Sequence, residues 1–153
     1  METRTIEQTT TFRAVPIDIY EMLMDSKKHA SLTGEPAQIS REVGGRFSAW
    51  GTHISGFNLA LKPGDKIVQA WRALDWCPDH YSIAIFDLKA VEDGTELAFT
   101  QIGVPPHRYE GHCRGWTETY WTPMKEILEQ GATSEQTRAN VAAARQRIRT
   151  GNL

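Results

Sequence analysis

Near residue 107 the spacing of apolar residues changes from that of strands to that of a helix, and this change constrains the fold most strongly. From about residue 37 to that point, short apolar runs alternate with turn sequences such as "VGG", "KPGD" and "EDG", a pattern typical of antiparallel strands joined by hairpins. Beyond it, apolar residues recur every three or four positions, as on one face of a helix: Cys113, Trp116, Tyr120, Met124, Ile127 and Leu128. The pattern predicts an antiparallel sheet followed by a long helix over residues 107–130.

The segment before this sheet predicts one strand and two short helices. The run "RTIEQTTTF" near the amino terminus is rich in β-branched residues, which favour strands. Pro16 suits the first turn of a helix, where its missing N–H is not needed. Asp25 or Ser26 can cap a second helix that ends at Gly34. The predicted order is therefore strand, helix, helix, sheet and long helix.

Prolines and a glycine mark the limits of the last elements. Pro105 and Pro106 cannot continue a strand ladder and should end the final strand. Pro123 should kink the long helix or begin a new segment, and Gly131 should end it. We therefore expect one domain over residues 1–131 and a carboxy-terminal tail over residues 132–153, in which alanine- and arginine-rich sequence predicts a short helix.

Length, charge and composition limit the kinds of protein this can be. The chain has 153 residues, 40% of them hydrophobic and 24% charged, as in a single globular domain. A net charge of −2 argues against binding to nucleic acid or to anionic lipid. The amino terminus is polar and no apolar run could span a bilayer. These features predict a cytoplasmic protein that does not bind membranes, with Cys77 and Cys113 as reduced thiols.

Four segments, in their order along the chain, carry a resemblance to a known family: "GGRFSAWGTHISGFNLALKPGDKIVQAWR", "YSIAIFDL", "GTELAFTQIGVP" and "GWTETYWTPMKEIL". Over about residues 8–130 the chain resembles the activator-of-heat-shock-chaperone-ATPase-like domains of the START-like superfamily. The resemblance implies an α+β helix-grip fold, in which a curved antiparallel sheet wraps around a long carboxy-terminal helix. It also implies a heat-shock chaperone as partner. In the eukaryotic activators this domain is the carboxy-terminal half, and a separate amino-terminal domain does most of the ATPase stimulation.

The polar clusters do not form a recognisable metal or catalytic site. His107, His112 and Cys113 are close in sequence, but their spacing matches no common zinc motif, and adjacent residues diverge on a helix. We expect Cys113 to be buried rather than reactive. Asp79 and His80 lie in "DWCPDHY", where a turn explains the aspartates and the proline better than an acid-base pair does. The sequence points to no catalytic residues, no metal and no cofactor.

The aromatic residues are the better candidates for a binding site. In a helix-grip fold the space between sheet and last helix is either packed with side chains or left as a ligand cavity, and apolar walls with a few polar groups favour binding. The candidate pocket wall consists of Trp50, Gln69, Trp71, Trp116, Tyr120 and Met124. The alternative, that these aromatics only fill the core, stays open at this point.

Three functions are compatible with these observations. The preferred hypothesis is a non-enzymatic START-like domain that binds a small hydrophobic or amphipathic molecule between the sheet and the carboxy-terminal helix. The alternative is a protein-interaction module related to the chaperone activators, contacting a heat-shock chaperone in the stress response or forming a homodimer. The least supported is a cyclase or hydrolase that uses Asp79, His80 or Cys113.

Overall fold

A single antiparallel sheet of seven strands is the main element of the computed structural model, which describes residues 2–130. The strands are β1 (Arg4–Phe12), β2 (Gln38–Ile39), β3 (Arg46–Ala49), β4 (Ile54–Lys62), β5 (Lys66–Ala73), β6 (Ser82–Val91) and β7 (Gly94–Val104). The α-helices are α1 (Pro16–Met24), α2 (Ser26–Thr33), α3 (Tyr109–Trp116) and α4 (Thr122–Gln130). A 3-10 turn at Pro106–Arg108 precedes α3, and a π-helical segment at Thr117–Trp121 joins α3 to α4.

The two edge strands of the sheet, β1 and β2, are consecutive in sequence, and the first strand pairs with the last. The order is β1-β7-β6-β5-β4-β3-β2, so strands β2 to β7 follow one another as a meander while β1 pairs with β7. Helices α1 and α2 connect β1 at one edge to β2 at the opposite edge. The curved sheet, the two early helices and the carboxy-terminal helix confirm the predicted helix-grip fold.

The first two helices begin and end where the sequence indicates. Pro16 occupies the first turn of α1, where it removes no needed hydrogen bond. The carboxylate of Asp25 accepts a hydrogen bond from the Lys28 N–H at 2.9 Å and so caps α2. Gly34 ends α2 in the left-handed conformation, with φ 77°, which glycine adopts without a steric penalty.

The long helix is interrupted just before Pro123 rather than at it. Proline has no N–H to donate to the carbonyl one turn back, and its ring crowds that carbonyl. The helix responds with the π segment Thr117–Trp121, in which the Thr122 N–H donates to the Thr117 carbonyl. The extra residue in this turn changes which side chains point at the sheet. The predicted interruption is thus confirmed, with its position shifted towards the amino terminus.

The core lies between the inner face of the sheet and the carboxy-terminal helix. On the predicted apolar stripe, Trp116, Tyr120 and Met124 are buried. Ile127 and Leu128 are half-buried and pack against the same core. Cys113 also packs there but is only half-buried, so the predicted burial of this thiol is partial. It lies at the edge of the stripe, on a turn of helix that reaches solvent.

Some sequence predictions concern residues that the structure does not describe. The carboxy-terminal tail, residues 132–153, for which the sequence predicts a short helix, lies outside residues 2–130, as does Gly131 at the predicted end of the long helix. Cys77 and Cys113 are both free thiols. Within residues 2–130, no helix is long and apolar enough to cross a bilayer.

Candidate functional site: the aromatic interior beneath the carboxy-terminal helix

All six residues of the predicted pocket wall are buried in the space between the sheet and the carboxy-terminal helix. Gln69 and Trp71 lie on β5, Trp116 ends α3, and Tyr120 lies in the π segment. Trp50 follows β3, and Met124 lies on α4 with no exposed surface. Every one except Met124 lines an interior cavity. The sequence therefore located the interior correctly, although burial alone does not make it a binding site.

Two small cavities remain in this interior. The first lies among side chains that include Met24, His29, Gln69 and Phe86, and the second lies beside Trp50 and His112. Each has a volume of about 20 Å³, which is room for about one water molecule. Pockets that bind small organic ligands usually have about 300 to 1,000 Å³. In this conformation the aromatic side chains fill the space that a ligand would need.

Trp116 is the centre of the aromatic packing. Its ring centroid lies 4.5 Å from that of Phe99 on β7 and 5.7 Å from that of Trp71 on β5. It is 4.9 Å from the Tyr120 ring and stacks on Trp121 with 17° between the planes. Aromatic pairs of this kind contribute about 0.5 to 1.5 kcal/mol each beyond the area they bury. The cluster therefore holds the carboxy-terminal helix against the middle of the sheet.

A buried hydrogen-bond network around Tyr120 joins three separate parts of the chain. His29 Nδ1 lies 3.0 Å from the Leu23 carbonyl, so this nitrogen carries the proton and donates it. His29 Nε2 is then the acceptor for the Tyr120 hydroxyl at 2.8 Å, and that hydroxyl accepts the Trp50 indole N–H at 3.2 Å. Burial lowers the pKa of His29 and raises the pKa of Tyr120. Both groups are therefore neutral at pH 7.

Trp50 reaches Tyr120 through an unusual backbone conformation. Its φ is 54° and that of the following Gly51 is 68°, so two consecutive residues lie in the left-handed region. A residue with a Cβ adopts this region only where the surrounding structure compensates for the strain. Here the Trp50 ring is buried and its N–H is bonded to Tyr120. The burial of the Trp50 ring and its hydrogen bond to Tyr120 in the π segment therefore compensate for the backbone strain at Trp50.

Glutamine and asparagine side chains pair with the other interior polar groups. The Trp116 indole N–H donates to Gln101 Oε1 at 2.9 Å, and Gln101 Nε2 donates to Ser82 Oγ at 2.9 Å. On the neighbouring strands, Gln69 Nε2 donates to Asn58 Oδ1 at 3.1 Å. Gln69, which we predicted as a polar group of the pocket wall, is thus already engaged with another side chain. A ligand would have to compete with that bond.

A second group of ionisable residues lies at the amino-terminal end of α3, and His112 is its buried member. His112 is only 3% exposed, and its ring packs edge-on against Trp71 and Trp76, 5.5 Å from each. Desolvation lowers the pKa of His112 to about 4, against the opposing effect of Asp75. Asp75 forms an ion pair with Arg108 close by. His112 is therefore neutral at pH 7, and within residues 2–130 its Nε2 has no hydrogen-bond partner.

The residues considered for metal binding or catalysis do not converge. His107 is exposed on the 3-10 turn, whereas His112 is buried. No three His, Cys, Asp or Glu side chains in residues 2–130 are placed to hold a metal ion. Asp79 is exposed in a turn with φ 64°, and His80 Nε2 lies 2.7 Å from the Gly103 carbonyl, which ties this turn to β7. The predicted turn explains both residues.

Sequence reasoning missed the polar residues that organise this interior. His29, Asn58, Gln101 and His112 are all buried, yet none belongs to a recognisable motif. The signal that was available is the alternation of the strands, which places Gln101 on the same inward face as Phe99. Polar residues on an inward face usually find partners; Gln101 bonds the Trp116 N–H and the Ser82 hydroxyl, and Asn58 bonds the Gln69 amide.

The molecule also has a groove on its surface, between α1, α2 and α4. Met22, Ile127 and Leu128 line its apolar part, and two cations, Lys27 and Lys28, and one carboxylate, Asp18, stand beside it. The groove has a volume of about 310 Å³, which is much larger than either interior cavity. Within residues 2–130, no element covers the groove along this side of the carboxy-terminal helix.

Comparison with known proteins finds matches over nearly all of the described chain. Residues 13–129 match the family described as Activator of Hsp90 ATPase homolog 1-like protein. An activator of 90 kDa heat shock protein ATPase homolog from Dictyostelium discoideum is 32% identical over 129 residues, covering 82% of this chain and 33% of that protein. The human homolog 1 is 26% identical over 122 residues, covering 80% and 36%. The chain thus spans about a third of the length of the curated relatives it matches.

Solved structures show the same fold. An HSP90 activator from Plasmodium falciparum superposes with a TM-score of 0.78 and 25% sequence identity, over 82% of this chain and 96% of that chain. The Aha1 dimer from Colwellia psychrerythraea superposes with a TM-score of 0.72 at 18% identity, over 84% and 98%. The second comparison supports the fold alone. In both cases the alignment covers almost the whole of the solved chain.

Proposed function

Because the chain belongs to the Activator of Hsp90 ATPase homolog 1-like family, we propose that it is a co-chaperone domain that binds an Hsp90-type chaperone. The observation that carries this proposal is the family match over residues 13–129, which spans nearly all of the described fold. The resemblance that we identified in the sequence over residues 8–130 is confirmed at the level of the family. The relatives are named as activators of a chaperone ATPase, and that this chain binds a chaperone is our proposal.

The structure supports a surface partner better than an internal ligand. The interior cavities have about 20 Å³ each, whereas the groove beside α4 has about 310 Å³. Its apolar side chains offer a hydrophobic contact, and the two lysines offer charge to an acidic segment. We therefore propose this groove, which combines apolar side chains with two lysines, as the contact for the chaperone. The segment that would fit it is amphipathic, with apolar residues on one side and carboxylates on the other.

We propose binding rather than full activation for this chain. It corresponds to about a third of its curated relatives, and the family resemblance assigns most of the ATPase stimulation to a different domain. When residues 1–153 are tested on their own, they should occupy the chaperone while changing its ATPase turnover little. Chaperone binding and ATPase stimulation are therefore measured separately.

The experiment measures binding and turnover on the same samples. The chain is titrated into purified Hsp90 from its own host by calorimetry, and the chaperone ATPase rate is followed at saturation. We expect 1:1 binding per chaperone protomer with less than about a tenfold change in ATPase rate. Replacing Lys27 by Glu should weaken binding at least about tenfold, because the acidic partner segment would then be repelled.

A matched control keeps the charge change and moves it elsewhere. Lys89 is exposed on β6, on a strand that does not contribute to the groove, so Lys89→Glu should leave the affinity unchanged. Absence of binding by the unsubstituted chain would refute the co-chaperone proposal. Equal loss with Lys89→Glu and with the groove variant would refute the groove as the contact.

The small-molecule hypothesis stays a prediction, and the structure makes its requirement explicit. A ligand would need about 300 Å³, more than ten times the volume of either cavity. The carboxy-terminal helix would have to move away from the sheet and separate Trp116 from Phe99. Native mass spectrometry of protein purified from its own host would detect a retained ligand and so revive this alternative.

A further inference from the structure

A second surface groove lies at the edge of the sheet formed by β2, β3 and β4, and we call it the edge groove. Its volume is about 560 Å³, within the range of about 300 to 1,000 Å³ that is usual for sites that bind small molecules. It shares no lining residue with the groove beside α4. Its polar lining consists of Ser26, Gln38, Ser40, Arg46, Ser48 and Ser55.

The strand register brings polar side chains of the edge groove onto one face of the sheet. Gln38 pairs with Ser48, and Ser48 pairs with Ser55, and paired residues project to the same side of a sheet. Arg46 is two residues from Ser48 on β3 and therefore projects to that side as well. Phe47, between them, is buried on the core side. The edge groove thus collects side chains from three adjacent strands on the face that points away from the core.

Four of these side chains are available to a ligand. In the part of the chain that the structure describes, the side chains of Gln38, Arg46, Ser48 and Ser55 form no hydrogen bond and no ion pair. Gln38 and Arg46 are exposed, and the two serines are half-buried. Their polar atoms therefore stay accessible from the groove.

The other two serines are oriented by backbone N–H groups. Ser26 Oγ accepts the Ile39 N–H at 2.9 Å, and Ser40 Oγ accepts the Glu42 N–H at 3.2 Å. A hydroxyl that accepts a hydrogen bond keeps its own hydrogen for donation. The hydroxyls, the guanidinium and the amide that line the groove therefore offer many donors, and a ligand that fits them must be rich in acceptors.

The charge of the groove is positive where β3 and β4 form it. Arg46 lines the groove, whereas no carboxylate of residues 2–130 does so. Arg72 lies in the same row, because Ser55 pairs with it. Its Nη2 donates to the carbonyl groups of Trp76 and Cys77, at 3.1 and 3.2 Å, which leaves its positive charge uncompensated there. Two guanidinium groups, on β3 and on β5, therefore flank the serine on β4.

The carboxylates closest to the groove in sequence lie at its other end. Asp25 precedes Ser26, and Glu42 follows two residues after Ser40, on the side of β2. Asp25 is already engaged, since its carboxylate accepts the Lys28 N–H at the start of α2. An anion is therefore favoured at the end of the groove that β3 and β4 form.

We propose that the edge groove binds a phosphate monoester, carried either by a small molecule or by a phosphorylated side chain of a partner. A guanidinium pairs with phosphate oxygens through two parallel hydrogen bonds, and Arg46 supplies this contact. The hydroxyls of Ser48 and Ser55 donate to the remaining oxygens. Arg72 adds the second positive charge, which matches the nearly doubly charged phosphate at neutral pH. This inference does not rest on chaperone binding.

Titration of the full chain at constant ionic strength tests the site and distinguishes the two sources of phosphate. The probes are a short peptide with one phosphoserine as its only charged group, the same peptide with serine, and inorganic phosphate, each raised to about 10 mM and followed by NMR. We expect the amide signals of Ser48 and Ser55 to shift saturably with the phosphopeptide and to stay in place with the serine peptide.

The affinity of inorganic phosphate then identifies the source. Inorganic phosphate that binds as tightly as the phosphopeptide would show that the groove recognises the phosphate group alone, as for a small molecule. Binding that is weaker by about tenfold or more would show that the peptide contributes contacts, as for a phosphorylated side chain. Both results support the phosphate site.

Substitutions test which side chains carry the binding. Arg46→Gln should weaken phosphopeptide binding at least about tenfold, because it removes a pair of charge-assisted hydrogen bonds. Lys89→Gln is the matched control: it removes one positive charge from an exposed position on β6, outside the groove, and should bind like the unsubstituted chain. Ser48→Glu should prevent binding by repulsion and decides the question if Arg46→Gln does not fold. Circular dichroism checks the fold of each variant.

Four results would overturn the proposal. They are the absence of saturable binding by both phosphate probes, shifts confined to Lys27 and Lys28 of the groove beside α4, binding that Arg46→Gln leaves unchanged, and equal weakening by Arg46→Gln and Lys89→Gln. The last would show only a general attraction of anions. Arg46→Gln should bind Hsp90 like the unsubstituted chain, because Arg46 lies outside the groove beside α4. The phosphate site and the chaperone contact can therefore fail separately.

Discussion

The Tyr120 hydroxyl and His29 Nε2 lie 2.8 Å apart in the interior, and this contact joins the π segment of the long helix to α2. The same hydroxyl accepts the Trp50 N–H, so one oxygen holds together segments that are 91 and 70 residues apart in sequence. Interior polar groups of this kind specify one arrangement of an otherwise apolar core. Removing the Tyr120 hydroxyl should therefore lower the free energy of unfolding more than the loss of a single atom would suggest.

Tyr120→Phe should lower the free energy of unfolding by about 2 to 3 kcal/mol. The substitution keeps the ring but leaves His29 Nε2 and the Trp50 N–H buried without a partner, and each such loss costs about 1 to 3 kcal/mol. Urea unfolding at pH 7 measures the effect. Tyr81→Phe is the control, since its ring is exposed and its loss should stay within about 0.5 kcal/mol. Equal effects of the two substitutions would contradict the network.

Stability should fall as the pH is lowered from about 6.5 to about 4. The pKa of His112 is about 4 in the folded protein and ordinarily near 6.5, so the unfolded chain takes up a proton in this interval while the folded chain does not. Protonation of the unfolded state destabilises the fold. Buried His29, whose pKa is also lowered, acts in the same direction.

The contribution of His112 can be isolated by substitution. Its shift corresponds to about 3 kcal/mol lost by pH 4, and this part should be absent in His112→Gln, which has no proton to gain. Urea unfolding at several pH values between 7 and 4 gives the slope for each protein. Parallel slopes in the two proteins would show that His112 is not the group responsible.

Phe86→Ala should convert the filled interior into one that binds a small apolar molecule. Phe86 is buried and lines the first cavity, so truncation should enlarge that cavity at a cost of about 3 to 5 kcal/mol. Benzene occupies engineered cavities of this type and should raise the melting temperature of the variant. It should leave the unsubstituted protein and Phe86→Leu unaffected. A benzene-dependent rise in the unsubstituted protein would indicate a larger cavity than 20 Å³.

Gly56→Ala should be among the most destabilising substitutions of a glycine in the chain. A Cβ at this position would lie 1.8 Å from the Ala70 carbonyl oxygen and 2.8 Å from Phe47 Cε1, so backbone on the paired strand would have to move. We expect a loss of about 3 kcal/mol or more. Gly44→Ala is the comparison: there a Cβ meets no atom within 4 Å but φ is +81°, and the loss should be about 1 kcal/mol. Thermal unfolding of both variants would show whether the order is reversed.

The parts of the fold that the sequence predicted are those that local chemistry determines. Asp25 and Gly34 cap α2 through contacts within a few residues, and Pro105 with Pro106 ends β7 by the absence of N–H groups. The apolar spacing placed Trp116 and Tyr120 on the buried face. Each of these predictions needed only neighbouring residues, and each was confirmed.

The parts that were not predicted depend on contacts between distant segments. The left-handed conformation of Trp50 has no local signal, since it is stabilised by Tyr120 across the core. The burial of His29 depends on Tyr120 in the π segment, and that of His112 depends on Trp71 and Trp76. The sequence was sufficient to assign Gln69 and the tryptophans to the interior. The volume of the remaining cavities was not predictable, because it depends on the packing of all lining side chains together.

The pairing of β1 with β7 has a consequence for how the molecule is made. A ribosome completes β1 first, but its partner strand begins some eighty residues later, at Gly94. Until β7 emerges, the amino-terminal strand has no neighbour, and the sheet cannot be finished at that edge. Pairing of two strands so far apart in sequence slows folding, because the entropy cost of closing the long loop arises before the strand contacts offset it. The nascent chain therefore exposes an unpaired strand until β7 has been made, and an unpaired strand edge is prone to mispairing unless it is shielded.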